Sequence, residues 1–260
     1  DFNGYSPKND GDRYRGFINI RQFIATSQNV PAVKIMKELT PKKSLEYLKK
    51  MGISSLDEKK DENLSLSIGG MTYGISPLEM ATAYAMIANN GIYIEPTFYT
   101  NINDKSGNII IKTSQTKRRV VSEEVAYIVK ELLTQPVNGS KGTATYCKIS
   151  GVDVSAKTGT TDENYDRWLC GFTPYYTAAT WYGYDINEEV TGSTNYAGKI
   201  WAAAMSKIHS GKESSKFAEP SGIVRETICK TSGKKATSKC SDTYQEVFIE
   251  GYVPGDCDAH

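Results

Sequence analysis

The sequence has 260 residues, 39% of them hydrophobic and 23% charged, and 31 basic residues against 30 acidic ones leave a net charge of +1. A chain of this size can bury a sizeable core, and so balanced a charge excludes a field that would gather nucleic acid or an anionic membrane. No apolar run approaches the length that crosses a bilayer, and no signal-peptide pattern opens the chain.

Residues 1 to 17 are rich in Asp, Asn, Gly and Tyr without periodicity, so an extended loop or cut end is expected, the start of a fragment. From Asn19 the spacing of Ile20, Phe23 and Ile24 predicts a helix; Ser27-Gln-Asn29 breaks it, and Pro31 opens a second helix with Val33, Met36 and Leu39. Pro31 disfavours the α region at Val30, which would let Ser27 and Asn29 project together into a cleft. The same two residues can equally serve as caps of the second helix.

Thr40-Pro41 and Gly52 bracket a surface helix. Ser76-Pro77 starts another, expected to be central, with Leu78, Ala81, Tyr84, Ala85 and Ala88 as its apolar face and Asn90-Gly91 as its stop. A hairpin is expected from Ile92 to Ile102, through Asp104–Asn108, to Ile109–Ile111. Ser122 caps a predicted helix through Val125, Ile128, Val129, Leu132 and Leu133, and Gly139 to Thr145 reads as a loop. The alternation of Val152, Val154 and Ala156 predicts a half-buried strand that delivers Lys157-Thr-Gly-Thr-Thr161 to its end. Trp168–Phe172 and Thr177–Tyr184 read as the next two strands of a meander. An apolar helix, Ala197–Ile208, is expected to turn Ile200, Trp201, Ala204 and Met205 inward. After Lys216 the composition shifts to Ser, Lys, Thr and Gly with three cysteines.

The five cysteines are odd in number, and Cys147, Cys170, Cys229, Cys240 and Cys257 show no metal-ligand spacing on this reading, so no metal is expected. A Cys229–Cys240 disulfide would close a short loop in the tail. With only His209 and His260, both late, a Ser-His-Asp triad is not expected, and His209 reads as a surface residue near a helix C-terminus.

Lys157 offers a point charge, Thr158 and Thr160 hydroxyl donors, and Gly159 a place where a ligand backbone can approach. Alone, these residues also fit a strand running into a polar turn. The order Ser-x-Asn then Lys-Thr-Gly, here Ser27-Gln-Asn29 and Lys157-Thr-Gly159, resembles the motif pairing of penicillin-binding proteins and serine β-lactamases. With Ile24–Lys34, Gly74–Ala81, Tyr84, Asn89-Asn-Gly91 and Arg167–Pro174 around those motifs, the chain resembles the transpeptidase domain of class A penicillin-binding proteins over nearly its whole length.

The resemblance implies an α/β (α+β) fold in which an antiparallel five-stranded sheet is flanked by helices. It also implies a transpeptidase domain over 1–215 and a cysteine-containing extension over 216–260 packed on it. The implied reaction is acyl transfer from the D-Ala-D-Ala end of a peptidoglycan stem peptide to an amine of a second one, with β-lactams acylating the same serine. Catalytic roles fall to Ser27, Asn29, Lys157 and Thr160, and substrate contacts to Thr158, Gly159, Thr160 and Thr161. The family's nucleophile lies in a Ser-x-x-Lys motif upstream of Ser-x-Asn, which has no match here. Ser114-Gln-Thr-Lys117 and Ser232-Gly-Lys-Lys235 have the pattern but follow Ser27, and read as chance occurrences. Partners are then an upstream segment carrying the nucleophile, a glycosyltransferase domain and a membrane anchor at the extracytoplasmic face; no nucleic acid and no cofactor are implied. A serine β-lactamase, a penicillin sensor, or a non-catalytic cell-wall binding module remain the alternatives.

Overall fold

The computed structural model describes residues 1–2 and 4–260. After an N-terminal loop, Asn19 starts α1 (Ile20–Ala25) with a capping box, its side chain and that of Gln22 each accepting the other's backbone N–H. The helix stops at Thr26, and the chain turns on Ser27, whose φ of 53° lies in the left-handed region. α2 (Asn29–Leu39) follows at once. It therefore begins two residues before the expected Pro31, which occupies the first turn, where an amide N–H would have no intrahelical partner to lose. Val30 is helical despite the proline after it, and its N–H is taken by Asn9 Oδ1 at 3.0 Å.

Thr40, with φ 75°, accepts from Lys43 N and starts α3 (Pro41–Lys50), which ends before Gly52 in the left-handed region. Leu45 is its buried residue, packed with Met36 and Leu66. A second capping box, Ser76 with Glu79, starts α4 (Pro77–Ala88). The buried residues of α4 are Thr82, Ala83 and Met86, while Leu78 is exposed, so the expected apolar face is rotated. The reason is that α4 is covered from several directions: it lies against the strands introduced below and against α5 (Glu123–Leu133).

Among the strands, β1 (Ile92–Ile94) pairs with β4 (Lys117–Arg119), and β2 (Asn101–Asn103) pairs with β3 (Ile109–Lys112) around Asp104–Asn108. The hairpin at Asp104–Asn108 is as expected, but Ile92–Ile94 belongs to a different ladder. Ser122 Oγ accepts from Val125 N to cap α5, and α6 (Gln135–Asn138) follows it.

The central sheet is antiparallel, in the order β5 (Ser155–Thr160), β6 (Asp166–Phe172), β7 (Thr177–Gly183), with Lys157 opposite Cys170 and Thr160 opposite Arg167. It holds three strands among the described residues, where the resemblance implies five; the architecture of an antiparallel sheet with helices on both faces is otherwise the expected one. One face carries Val154, Ala156 and Leu169 onto Val137 of α6 and onto Trp201 and Met205 of α7 (Tyr196–Ile208). Ile200 and Ala204 of α7 are exposed, contrary to the sequence reading, because Ala197, Gly198, Trp201 and Met205 form the stripe that meets the sheet. The other face carries Phe172 onto Tyr84 of α4 and onto Phe217.

The extension is a hairpin, β8 (Ile223–Cys229) with β9 (Thr243–Ile249), packed through Ile223 and Val247 on Tyr127 of α5. His209 is buried rather than exposed. Its Nδ1 lies 2.7 Å from Met205 O and its Nε2 2.9 Å from Thr173 Oγ1. Since a carbonyl can only accept, Nδ1 is the donor there.

Candidate active site

Two elements far apart in the chain meet at one hydrogen bond. Lys157, on edge strand β5, donates from Nζ to Ser27 Oγ at 2.6 Å across a separation of 130 residues, and to Thr158 O at 2.9 Å. Ser27 is presented by its left-handed turn between α1 and α2, a conformation that costs a non-glycine residue energy. Desolvation lowers the Lys157 ammonium to about 8. A lysine poised there exchanges its proton near neutral pH and can recharge the serine hydroxyl beside it.

Ser27, Asn29, Lys157, Thr158, Gly159, Thr160 and Thr161 all line a single cleft of about 1820 Å³. Their engagements differ. Asn29 Nδ2 donates to Lys8 O at 2.9 Å, so the N-terminal loop holds its amide. Thr158 Oγ1 bonds Thr143 Oγ1 at 2.9 Å, which brings into the site a residue of the glycine-punctuated loop that carries no motif. Thr160 is exposed at the strand end. Thr161 closes the β5–β6 connection: its Oγ1 accepts from Asp166 N at 2.8 Å and its N–H donates to Asp166 O at 3.3 Å. At Gly159 a Cβ would sit 3.0 Å from Trp168 Cβ on β6, so the missing side chain serves cross-strand packing, not only ligand approach.

Arg167, opposite Thr160, is nearly fully buried; Nη1 bonds Asn164 Oδ1 at 2.8 Å and Nη2 bonds Gly192 O at 2.9 Å. These two bonds tie the loops that border the cleft to β6. Neither Ser114-Gln-Thr-Lys117 nor Ser232-Gly-Lys-Lys235 lines the cleft. Cys147 and Cys170 are buried free thiols, each pushed up to about 12 by desolvation and so unreactive. The expected Cys229–Cys240 disulfide is not formed: all five cysteines are free.

A family model described as penicillin binding protein transpeptidase domain matches residues 1–210. The chain belongs to the penicillin-binding protein transpeptidase family. A second model, described as penicillin-binding protein 1A, C-terminal domain, matches residues 219–260. Penicillin-binding protein 1A of Clostridium botulinum is 34% identical over 98% of the chain, which spans 31% of that relative. Penicillin-binding protein 1F of Bacillus subtilis is 32% identical over 85% of the chain and is also spanned to 31%. The chain thus corresponds to less than two thirds of the curated relatives it matches. Among solved structures, penicillin-binding protein 1A of Haemophilus influenzae superposes with a TM-score of 0.81 at 24% identity, covering 96% of this chain and 42% of that one. PonA1 of Mycobacterium tuberculosis in complex with penicillin V gives 0.69 at 23% identity, over 82% of this chain and 62% of that one. At these identities the structures establish the transpeptidase fold. Among the described residues no helix is long and apolar enough to cross a membrane.

Proposed function

We propose that this chain supplies the Ser-x-Asn and Lys-Thr-Gly half of a serine D,D-transpeptidase that cross-links peptidoglycan stem peptides and is acylated by β-lactams. The observation that carries the reading is the 2.6 Å bond from Lys157 to Ser27, which joins two motifs with no reason to meet unless they share a site. The acyl-accepting serine lies on an upstream segment outside these 260 residues, and residues 1–215 and 216–260 act as catalytic unit and brace, at the extracytoplasmic face of the membrane.

In the first step the serine oxygen bonds the penultimate D-Ala carbonyl carbon and gives its proton to a neighbouring base. The tetrahedral oxyanion is held by the Thr160 N–H. As the C–N bond breaks, the Ser27 hydroxyl protonates the departing D-Ala amine and is refilled from Lys157. An amine of the second stem peptide then attacks the ester, reversing those transfers. Thr158 and Thr160 hydroxyls receive the substrate carboxylate, Gly159 leaves room beside β5, Thr161 shapes the end of the strand, and Asn29 orients the peptide amide once Lys8 releases it. Lys157 biases the cleft toward anions, and no metal or cofactor enters the reaction.

The test is mass analysis of the intact protein after a labelled penicillin, with proteolytic mapping of the adduct. The expected result is an adduct on a peptide outside the 260 residues, formed about 10²-fold more slowly in Lys157→Ala. An adduct inside the chain, or an unchanged rate in that variant, overturns the assignment; rapid release of hydrolysed penicillin would indicate a β-lactamase instead.

A further inference from the structure

Three cysteines and a histidine that are spread over 32 residues of the extension converge on one point. The ligand atoms of Cys229, Cys240, Cys257 and His260 all lie within 4.8 Å of one another, with Cys229 Sγ 3.3 Å from His260 Nε2. Four thiolate and imidazole ligands around a zinc ion, with Zn–S near 2.3 Å and Zn–N near 2.0 Å, stand about 3.5–3.8 Å apart along the edges of the tetrahedron. The observed cluster needs only small side-chain movements to reach that size.

The backbone holds the four positions independently. Cys229 ends β8 and begins a tight turn in which Gly233 N donates to Cys229 O at 2.9 Å and Cys229 N donates to Lys234 O at 2.9 Å. Gly233, with φ 70°, supplies the left-handed residue that this turn requires. Cys240 closes a second turn, its N–H bonding Thr237 O and its Sγ receiving Thr237 N–H at 3.3 Å. Cys257 is carried back by a short parallel pairing, Lys235 N to Gly255 O and Cys257 N to Lys235 O at 2.7 Å, and its Sγ accepts from Ser232 Oγ at 3.2 Å. His260 follows in the spacing Cys257-x-x-His260.

A disulfide explains this arrangement less well, because any pair leaves a third sulfur and an imidazole at the same point. From this convergence we infer that Cys229, Cys240, Cys257 and His260 form a tetrahedral Cys3His site for a structural zinc ion that fastens the β8–β9 hairpin to the return segment. Soft sulfur ligands with one imidazole select zinc over magnesium or calcium, and four protein ligands leave no position open for catalysis. The site is separate from the cleft and does not depend on the transpeptidase reading.

The test is metal analysis of the intact protein purified without chelator, then exchange with Co²⁺. The expected result is one zinc per chain, the intense visible bands of tetrahedral thiolate-bound cobalt, at least tenfold weaker binding in Cys240→Ser, and weakened binding with shifted bands in His260→Ala. Should Cys240→Ser fail to fold, chelator titration of the unaltered protein serves: metal removal lowers its melting temperature and zinc restores it. Absence of bound metal, metal retained in full by Cys240→Ser, or a disulfide mapped between any two of Cys229, Cys240 and Cys257 in the denatured, unreduced protein overturns the site.

Discussion

Arg21 of α1 and Glu246 of β9 are joined by a forked ion pair, Nε lying 2.8 and 2.7 Å from the two carboxylate oxygens and Nη2 2.5 Å from one of them, across 225 residues of sequence. Each side chain is 15% exposed, and Arg21 Nη1 also donates to Glu131 O of α5. α1 is the helix that runs directly into Ser27, so the extension grips the element that presents the proposed proton donor. The hairpin that carries Glu246 is the one whose far end supplies Cys229 and Cys240, two of the four proposed zinc ligands.

Glu246→Ala is expected to cost about 2 kcal/mol, because it leaves a partly buried guanidinium with only the Glu131 carboxylate, 3.9 Å away, as a charged partner. Urea midpoints measure it. Glu46→Ala, which breaks the exposed Lys43–Glu46 pair, serves as the control and should leave the midpoint nearly unchanged. In the intact protein Glu246→Ala should also slow acylation, since α1 is then less firmly placed; equal costs for the two variants would remove the argument for a clamp.

Short-range signals made much of this fold legible. Thr40-Pro41 with Gly52, Ser76-Pro77, and Ser122 start or stop helices through contacts within four residues, and those boundaries hold. Errors gather where a distant partner decides. The buried side of α4 is set by packing on β6, β7 and α5. Ile92–Ile94 pairs with a strand beyond the next hairpin. Gly159 answers to Trp168 across the ladder, and His209 to Thr173. The cleft residues were legible as two motifs, but Thr143 had no motif to mark it. The cysteine and histidine cluster draws on two turns and a return segment, of which only Cys257-x-x-His260 is visible as a spacing.

Gly171→Ala tests how closely β5 and β6 approach beneath the site. A Cβ at Gly171 would stand 2.7 Å from Ser155 O and 2.8 Å from Ala156 Cβ, and neither backbone nor methyl can swing aside. The expected loss is roughly 1–3 kcal/mol in denaturant unfolding. A neutral result would mean that β5 shifts freely along this edge, and Lys157 with it.

Glu79 ties the start of α4 to the loop after α3. Burial alone would raise its carboxyl, but four donors outweigh it and hold the group at about 2: Ser54 N and Oγ on one oxygen, Ser76 N and Oγ on the other. The folded value lies below the unfolded one, so the stabilisation is complete above about 4.5 and is lost as pH falls toward 2. Allowing for solvent screening it amounts to about 2 kcal/mol. Glu79→Gln should therefore trail the unaltered protein at pH 7, with the gap reduced by about half at pH 3. A gap independent of pH would contradict the hydrogen-bonded carboxylate.

Lys157 gives the opposite sign. Desolvation lowers its folded value to about 8 from 10.5, so between those limits the unfolded chain binds more protons than the folded one and stability rises with pH. Below pH 8 the fold carries a partly buried ammonium; above it that cost is relieved. From pH 7 to pH 9 the gain is about 1 kcal/mol, and it should vanish in Lys157→Met, whose apolar chain fills the same space without a titrating end. Unfolding midpoints of the two proteins at both pH values isolate the lysine, because every other titrating group is common to them. A difference between the proteins that stays constant from pH 7 to pH 9 would mean that Lys157 titrates as an ordinary lysine, which would leave Ser27 without a neighbour able to recharge it near neutrality.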